Sequence, residues 1–217
     1  MCSSALFAGL ADHECLEIAA SALARTFARD ELLFSQGEPI RNLILLQSGS
    51  VKLTQVSPNG NEVLLRINGK GDAVNVRAES ASCGHTNSAR ATERCKALVW
   101  DYARIQAYLA KYPRLRINVS RILVTQLQEL EERFREVATE RVSRRLALLL
   151  LRLQAQIGKP TGEGIQISLS REELAQMTGA TVFTISRVLS EWSEKGLILT
   201  RREAIVVSHP ERLGEEC

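Results

Sequence analysis

Between Pro113 and Gly158 the sequence contains neither proline nor glycine. Nothing in such a stretch interrupts a helix, because these are the two residues that break one. Within it Val119, Leu123, Leu127, Leu130, Phe134 and Val137 recur every three or four positions, the period of a single helical face. Opposite them Glu129 precedes Arg133 and Glu131 precedes Arg135, the i,i+4 order that supports an exposed helix. One apolar stripe could cover the core of its own domain. A long uninterrupted helix between two domains more often meets a partner helix. Residues 112–139 are therefore expected to be a dimerisation helix, dividing the chain into 1–111, 112–139 and 140–217.

The two flanks follow different periods. Leu16, Ala19, Ala20, Leu23 and Phe27 fit a short helix over 13–27. From Leu32 the runs LLF, NLILLQ, VKLTQV and EVLLRI alternate with SQGEP, SGS, SPNGN and NGKGD. Short strands at regular spacing with glycine turns predict an antiparallel roll or barrel, and SPNG at 57–60 is a hairpin signal. Residues 73–87 read as loop with a short helix, and CKALVWD as a last strand in which Cys95 is a small buried apolar residue. Beyond the loop IGKPTGEG comes a short strand, IQISLS. Ser170 and Glu173 then have the spacing of a capping box, REELAQMT is a helix closed by Gly179, a second helix follows, and GLILTRREAIVV supplies two short strands resembling a wing.

Two short helices joined by a tight glycine turn form a helix-turn-helix pattern. Leu174, Ala175, Ala180, Ile185 and Val188 are the residues that pack the pair, leaving Thr181, Val182, Phe183, Ser186 and Arg187 on the outer, N-terminal part of the second helix. That part meets base edges when such a helix enters the major groove of double-stranded DNA. Arg187 can pair bidentately with guanine and Ser186 can serve several bases, while the hydroxyls of Thr181 and Thr184 can hold phosphates. A helical hairpin in an unrelated α-helical domain shows the same pattern. Charge does not separate the two: the net is +3, made of 28 basic and 25 acidic residues, and each of the segments 1–111, 112–139 and 140–217 carries +1. Any basic footprint is local, at Arg141, Arg144 and Arg145 or at Arg201 and Arg202.

Other classes are excluded by what the sequence lacks. The longest strong apolar run, 146–151, lies between Arg145 and Arg152, far short of the ~18 residues a membrane span needs. The start, MCSSALFAGLADHE, has no basic region followed by an apolar block, so no secretory signal is expected. Cys2, Cys15, Cys83, Cys95 and Cys217 are scattered and odd in number, which favours a reducing cytoplasm. The three histidines, His13, His85 and His209, lie in no nucleophile, metal-ligand or phosphate-loop motif, so an enzyme is not expected.

Taken together, LLFSQGEP, LLQSGSVKL, INGKGD and SREELAQMTGATVFTISRVLSEWSEKGLI resemble the CRP/FNR family of bacterial transcription regulators over nearly the whole chain. The resemblance implies an α+β fold: an N-terminal antiparallel β-roll like that of cyclic-nucleotide-binding domains, a long dimerisation helix and a C-terminal winged helix-turn-helix. It implies a homodimer on a palindromic site, an effector pocket in the roll, and contact with RNA polymerase through a surface loop, here 159–164. Carried onto this sequence, Ser170, Arg171, Thr184 and Arg201 become DNA-backbone contacts, and Val182, Phe183, Ser186 and Arg187 face bases. Cyclic-nucleotide-binding members hold the ribose with glutamate and the phosphate with arginine. This sequence has Val76, Arg77, Asn87 and Ser88 in those segments, with Val76 for the glutamate and Asn87 for the arginine. A phosphate buried without its arginine is poorly compensated, so cyclic AMP is disfavoured; Arg77 and Arg90 are out of register. Cys2 and Cys15 do not reproduce the ligands of an iron–sulfur cluster. A haem- or redox-dependent sensor using Cys83 and His85 stays open as an alternative.

Overall fold

NLILLQ and KALVW are apolar at almost every position, too many for strands with one solvated face. The computed structural model, which describes residues 4–76 and 84–215, shows both to be covered on two sides. Seven antiparallel strands, β1 (Leu23–Phe27), β2 (Leu32–Phe34), β3 (Asn42–Ser48), β4 (Val51–Val56), β5 (Glu62–Asn68), β6 (Ser88–Ala91) and β7 (Cys95–Asp101), form two sheets in the orders β1-β7-β3 and β2-β6-β4-β5. Side chains alternate along a strand, and the two faces part accordingly. Ile44, Leu46, Cys95, Ala97 and Val99 join Phe27, Val51 and Leu53 in a core between the sheets. Leu43, Leu45, Leu98 and Trp100 turn outward to a second core under the helices. That second core is roofed by α1 (Asp12–Ala20), α2 (Tyr102–Lys111) and the start of α3 (Pro113–Thr139) through Ile18, Ile105, Leu109 and Leu115. The fully buried Trp100 donates its indole N–H to the Ile18 carbonyl at 2.8 Å.

Two strands and one helix differ from the expected order. Leu23 and Phe27 do not continue a helix; they pair as β1 with Val99 and Cys95 of β7. A ladder of tertiary hydrogen bonds outweighs the weak helical period there, and Leu16, one of the residues that suggested it, is 64% exposed. Strand β6 follows directly on the segment 73–87 that read as loop and has no counterpart among the expected strands. Helix α2 begins at Asp101, whose carboxylate accepts from the Arg104 N–H at 2.9 Å, an N-cap visible in the sequence.

Residues 1–129 and 130–217 make two compact units. Pro113 opens α3 at a position where its missing N–H costs nothing. The helix stops after Thr139 without proline or glycine. Arg145 donates to the carbonyls of Glu140 (3.0 Å) and Val137 (3.4 Å), and Arg135 and Arg144 pair with the Glu140 carboxylate. Arg145 thus satisfies the Val137 carbonyl left without a helical partner in the last turn. Arg135 also pairs with Glu132, so the support on this face comes at i,i+3. Buried Glu136 takes both arms of Arg152 on the next helix, α4 (Val142–Ile157), at 2.5 and 2.9 Å.

The rest of the second unit is β8 (Lys159–Thr161), β9 (Gly164–Ile167), α5 (Arg171–Thr178), α6 (Val182–Glu194), β10 (Ile198–Arg201), β11 (Ala204–Val207) and α7 (Pro210–Glu215). The strands form one antiparallel sheet, β10-β11-β9-β8. The segment 157–164, expected as loop, is mostly a hairpin. Its glycine at 164 has φ +140°, and a Cβ there would lie 2.3 Å from the Val207 carbonyl oxygen. At Gly179, φ is +63° but a Cβ would meet nothing within 4 Å. Gly179→Ala is thus expected to cost only the left-handed backbone, about 1 kcal/mol. Gly164→Ala must also displace β11 and is expected to lower the unfolding midpoint much further. Paired denaturant titrations check the order, and an equal loss would contradict it.

Candidate nucleic-acid interface

Helix α5 starts on the capping box read from the sequence. The Glu173 N–H donates to Ser170 Oγ at 3.1 Å, and the Ser170 N–H to Glu173 Oε2 at 2.8 Å. It ends on Gly179 in the left-handed conformation, and the Ala180 N–H closes the turn onto the Ala175 carbonyl at 3.0 Å. Helix α6 then begins on Thr181, whose hydroxyl accepts from the Thr184 N–H at 3.1 Å and lies 2.9 Å from the Thr184 hydroxyl. This second cap was missed in the sequence, although Thr-x-x-Thr is a legible signal for it.

The two faces of α6 divide sharply. Ile185, Val188, Leu189 and Trp192 are buried, as is Leu174 on the facing helix α5. Ala180 is half-buried. On the other face Val182 and Phe183 are 44% and 79% exposed, and Thr181 and Arg187 are exposed as well; Thr184 and Ser186 are half-buried. Phe183 and Arg187 stand four residues apart, one above the other on a helix. A phenylalanine this exposed contributes little to the core, and among the described residues Arg187 forms no ion pair. Arg171 is exposed at the first position of α5, in line with Ser170. Arg201 ends β10, where it donates to Gln166 Oε1 at 3.1 Å and pairs with Glu163. Exposed Arg202 begins the adjoining turn.

The stripe on α3 is exposed at Leu123 (38%), Leu127 (54%), Leu130 (60%), Phe134 (75%) and Val137 (50%). Val119 departs from it, packing with Ile122 against the core of its own unit. Ile117 and Val124, which the stripe omitted, are 45% and 53% exposed. Among the described residues no helix is long and apolar enough to cross a membrane.

Of the expected effector residues, the structure describes Val76, Asn87 and Ser88. Val76 is buried in the core under the helices. Ser88 lies on β6, its Oγ accepting from the Gln36 N–H at 3.0 Å, with half-buried Asn87 beside it. Arg77 and Cys83, with Cys2 and Cys217, lie outside the described residues. Arg90 donates to the Asp30 carbonyl at 2.6 Å. Cys95 is fully buried with its thiol on the Ser50 carbonyl. His85 is not an exposed loop residue: it is 7% exposed and stacks on Phe34 at 3.7 Å. It lines a cleft of about 310 Å³ with Glu38, Arg41, Asn42 and Ile44. No group of three or more His, Cys, Asp or Glu among the described residues could hold a metal ion.

Burial holds the His85 imidazole below its ordinary value, against a smaller upward pull from Glu38. A base whose pKa is depressed by folding binds its proton more readily in the unfolded chain. The stability this contributes is present above the unfolded value of about 6.5 and lost as pH falls through the folded one. Denaturant titrations from pH 8 to pH 5 are expected to show a decline that is smaller in His85→Gln. The same decline in that variant would remove His85 as its source.

Residues 24–112 match the family model of the cyclic nucleotide-binding domain, and residues 144–216 that of the Crp-like helix-turn-helix domain. A CRP-like cAMP-activated global transcriptional regulator of Mycobacterium tuberculosis is 27% identical over 190 residues, 87% of this chain and 85% of that protein. A global nitrogen regulator of Nostoc sp. is 27% identical over 199 residues, 89% of each. Among solved structures, the c-di-GMP responsive global regulator CLP of Xanthomonas campestris superposes with a TM-score of 0.77 at 22% identity, covering 91% of this chain and 99% of that one. At that identity the likeness speaks for the fold alone. Catabolite activator protein of Thermus thermophilus gives 0.57 at 26% identity over 98% of both chains.

Proposed function

Since this chain belongs to the CRP/FNR family of DNA-binding transcription regulators, we propose that it works as a homodimer reading a palindromic operator, with one α6 in each of two major grooves. The observation that carries this is the division of α6. One face is spent on the core, and the other presents Phe183 and Arg187 to solvent. In this reading Val182, Phe183, Ser186 and Arg187 meet base edges, and Ser170, Arg171, Thr181, Thr184 and Arg201 meet the backbone. Residues 1–111 form the sensor, 112–139 the dimerisation helix through Leu123, Leu127, Leu130, Phe134 and Val137, and 140–217 the DNA-binding domain. Residues 159–164 are offered to RNA polymerase, and the protein acts in the cytoplasm. The family's members are regulators, not enzymes.

Cyclic AMP is not the effector in this proposal, although the mycobacterial relative is named for it. Buried, apolar Val76 stands where a ribose-binding glutamate would be needed, and Asn87 where a phosphate would need arginine.

Phe183 bears on which operator is chosen. Its ring offers only apolar contact, best matched by a thymine methyl, whereas glutamate accepts from cytosine N4. Selection of binding sites from random DNA is expected to return an inverted repeat with an invariant guanine at the Arg187 pair and thymine or no preference at the Phe183 pair. Phe183→Glu is expected to create a cytosine requirement there. A cytosine requirement already present in the parent would refute the assignment, and failure to enrich any duplex would refute the function.

A further inference from the structure

The hairpin β8–β9 is held unusually firmly for a surface feature. A Cβ at Gly158 would lie 2.3 Å from the Gln154 carbonyl oxygen and 2.4 Å from Ile165 Cγ2. Gly164 at the other end is pressed just as closely onto β11. Between them the turn is tied by Thr161, whose hydroxyl donates to the Gly164 carbonyl at 2.9 Å and accepts from the Glu163 N–H at 3.3 Å. The backbone at Glu163 therefore has a fixed place. Two strands away, Arg201 ends β10 opposite Ala204, a side chain too small to bar the way. The guanidinium crosses it to reach Gln166 on β9 and the Glu163 carboxylate.

Arg201 is thus the wing cation that the functional reading gives to a DNA phosphate, and within the protomer a carboxylate already occupies it. The two side chains are 45% and 54% exposed, and exposed pairs of this kind contribute little to stability. The contact does not need to be there for the fold. It does leave a guanidinium that must exchange one anion for another.

We propose that Glu163 is a competing anion that withholds Arg201 from the DNA backbone, so that the β8–β9 hairpin sets how tightly the wing grips DNA. This rests on the DNA-binding reading above. On binding, a phosphate oxygen replaces the Glu163 carboxylate on Arg201, and Glu163 is left facing solvent beside the polyanion. Its effect does not depend on base sequence, because the phosphate contact carries none.

The test is a double-mutant cycle on the full-length protein, with a duplex enriched from random DNA by the parent and a scrambled duplex of the same length, between 50 and 200 mM salt. Glu163→Gln, which keeps the shape and removes the charge, is expected to tighten binding to both duplexes by roughly 3–10-fold at the lower salt, and less at the higher, as screening requires. Arg201→Gln is expected to weaken both. In the Arg201→Gln background, Glu163→Gln is expected to have almost no further effect, since coupling is confined to residues that share the interaction. The same tightening in both backgrounds would mean general charge repulsion and overturn the proposal. Weaker binding by Glu163→Gln would make Glu163 a support for Arg201 instead, and overturn it as well. A parent that binds the enriched duplex while Glu163→Gln behaves identically defeats this inference and leaves the function intact. A parent that enriches no duplex defeats both.

Discussion

Arg187→Ala is expected to abolish operator recognition while leaving the protein folded. A bidentate arginine–guanine pair is worth about 1–3 kcal/mol of discrimination. A symmetric dimer loses it at both half-sites, so operator affinity should fall roughly 10²–10⁴-fold. Binding to unrelated duplex should change far less, because the phosphate contacts that supply it stay in place. The side chain is exposed on α6, so the unfolding midpoint should stay within experimental error of the parent. That separates it from Ile185→Ala on the opposite, fully buried face, where about 2–5 kcal/mol of stability is at stake. Competition titrations against the selected operator read the first effect and denaturant unfolding the second. An Arg187→Ala protein with undiminished operator preference would take base reading away from this residue.

Leu130→Glu is expected to have the larger effect on assembly. Leu130 is 60% exposed in the protomer, so a carboxylate there strains nothing within one chain. Where two copies of α3 meet along Leu123, Leu127, Leu130, Phe134 and Val137, the same change brings two unpaired charges into one apolar seam. Desolvating them costs more than the seam gains. Sedimentation at micromolar concentration should therefore show a monomer. Operator affinity should drop by a further factor of roughly 10²–10⁴, because the second half-site no longer benefits from the effective concentration that linkage provides. A dimer that persists in Leu130→Glu, with unchanged operator binding, would place the interface elsewhere. Ile117 and Val124, on an exposed face closer to the start of the same helix, would then be the next residues to change.

The exposed face of α6 was legible without coordinates because its signals are local. The capping box at Ser170 and Glu173, the left-handed glycine at 179 and the apolar spacing of Leu174, Ile185 and Val188 each act within a few residues of chain, and all appear as expected. The strands of the first unit were only partly legible. LLF, NLILLQ and VKLTQV carry their own β pattern. LARTF does not, and becomes a strand only because β7 lies beside it. The long helix ends at Thr139, where the segment 112–139 was expected to end, but the cause was not legible: no residue there breaks a helix, and Arg145, which takes the Val137 and Glu140 carbonyls, is recruited from the following helix.

The sequence by itself determined the order of roll, long helix and winged helix, and which residues of α6 face outward. Those properties follow from periodicity and backbone preference, which a short window of chain contains. Only the tertiary structure decided that His85 is buried on Phe34, that Val119 packs against the core of its own unit, and that Arg201 already holds the carboxylate of Glu163. Each of these depends on partners 35 or more residues away or on the packing of whole elements. Burial and charge pairing are set by what folding brings alongside a residue, and its own spacing carries no record of that.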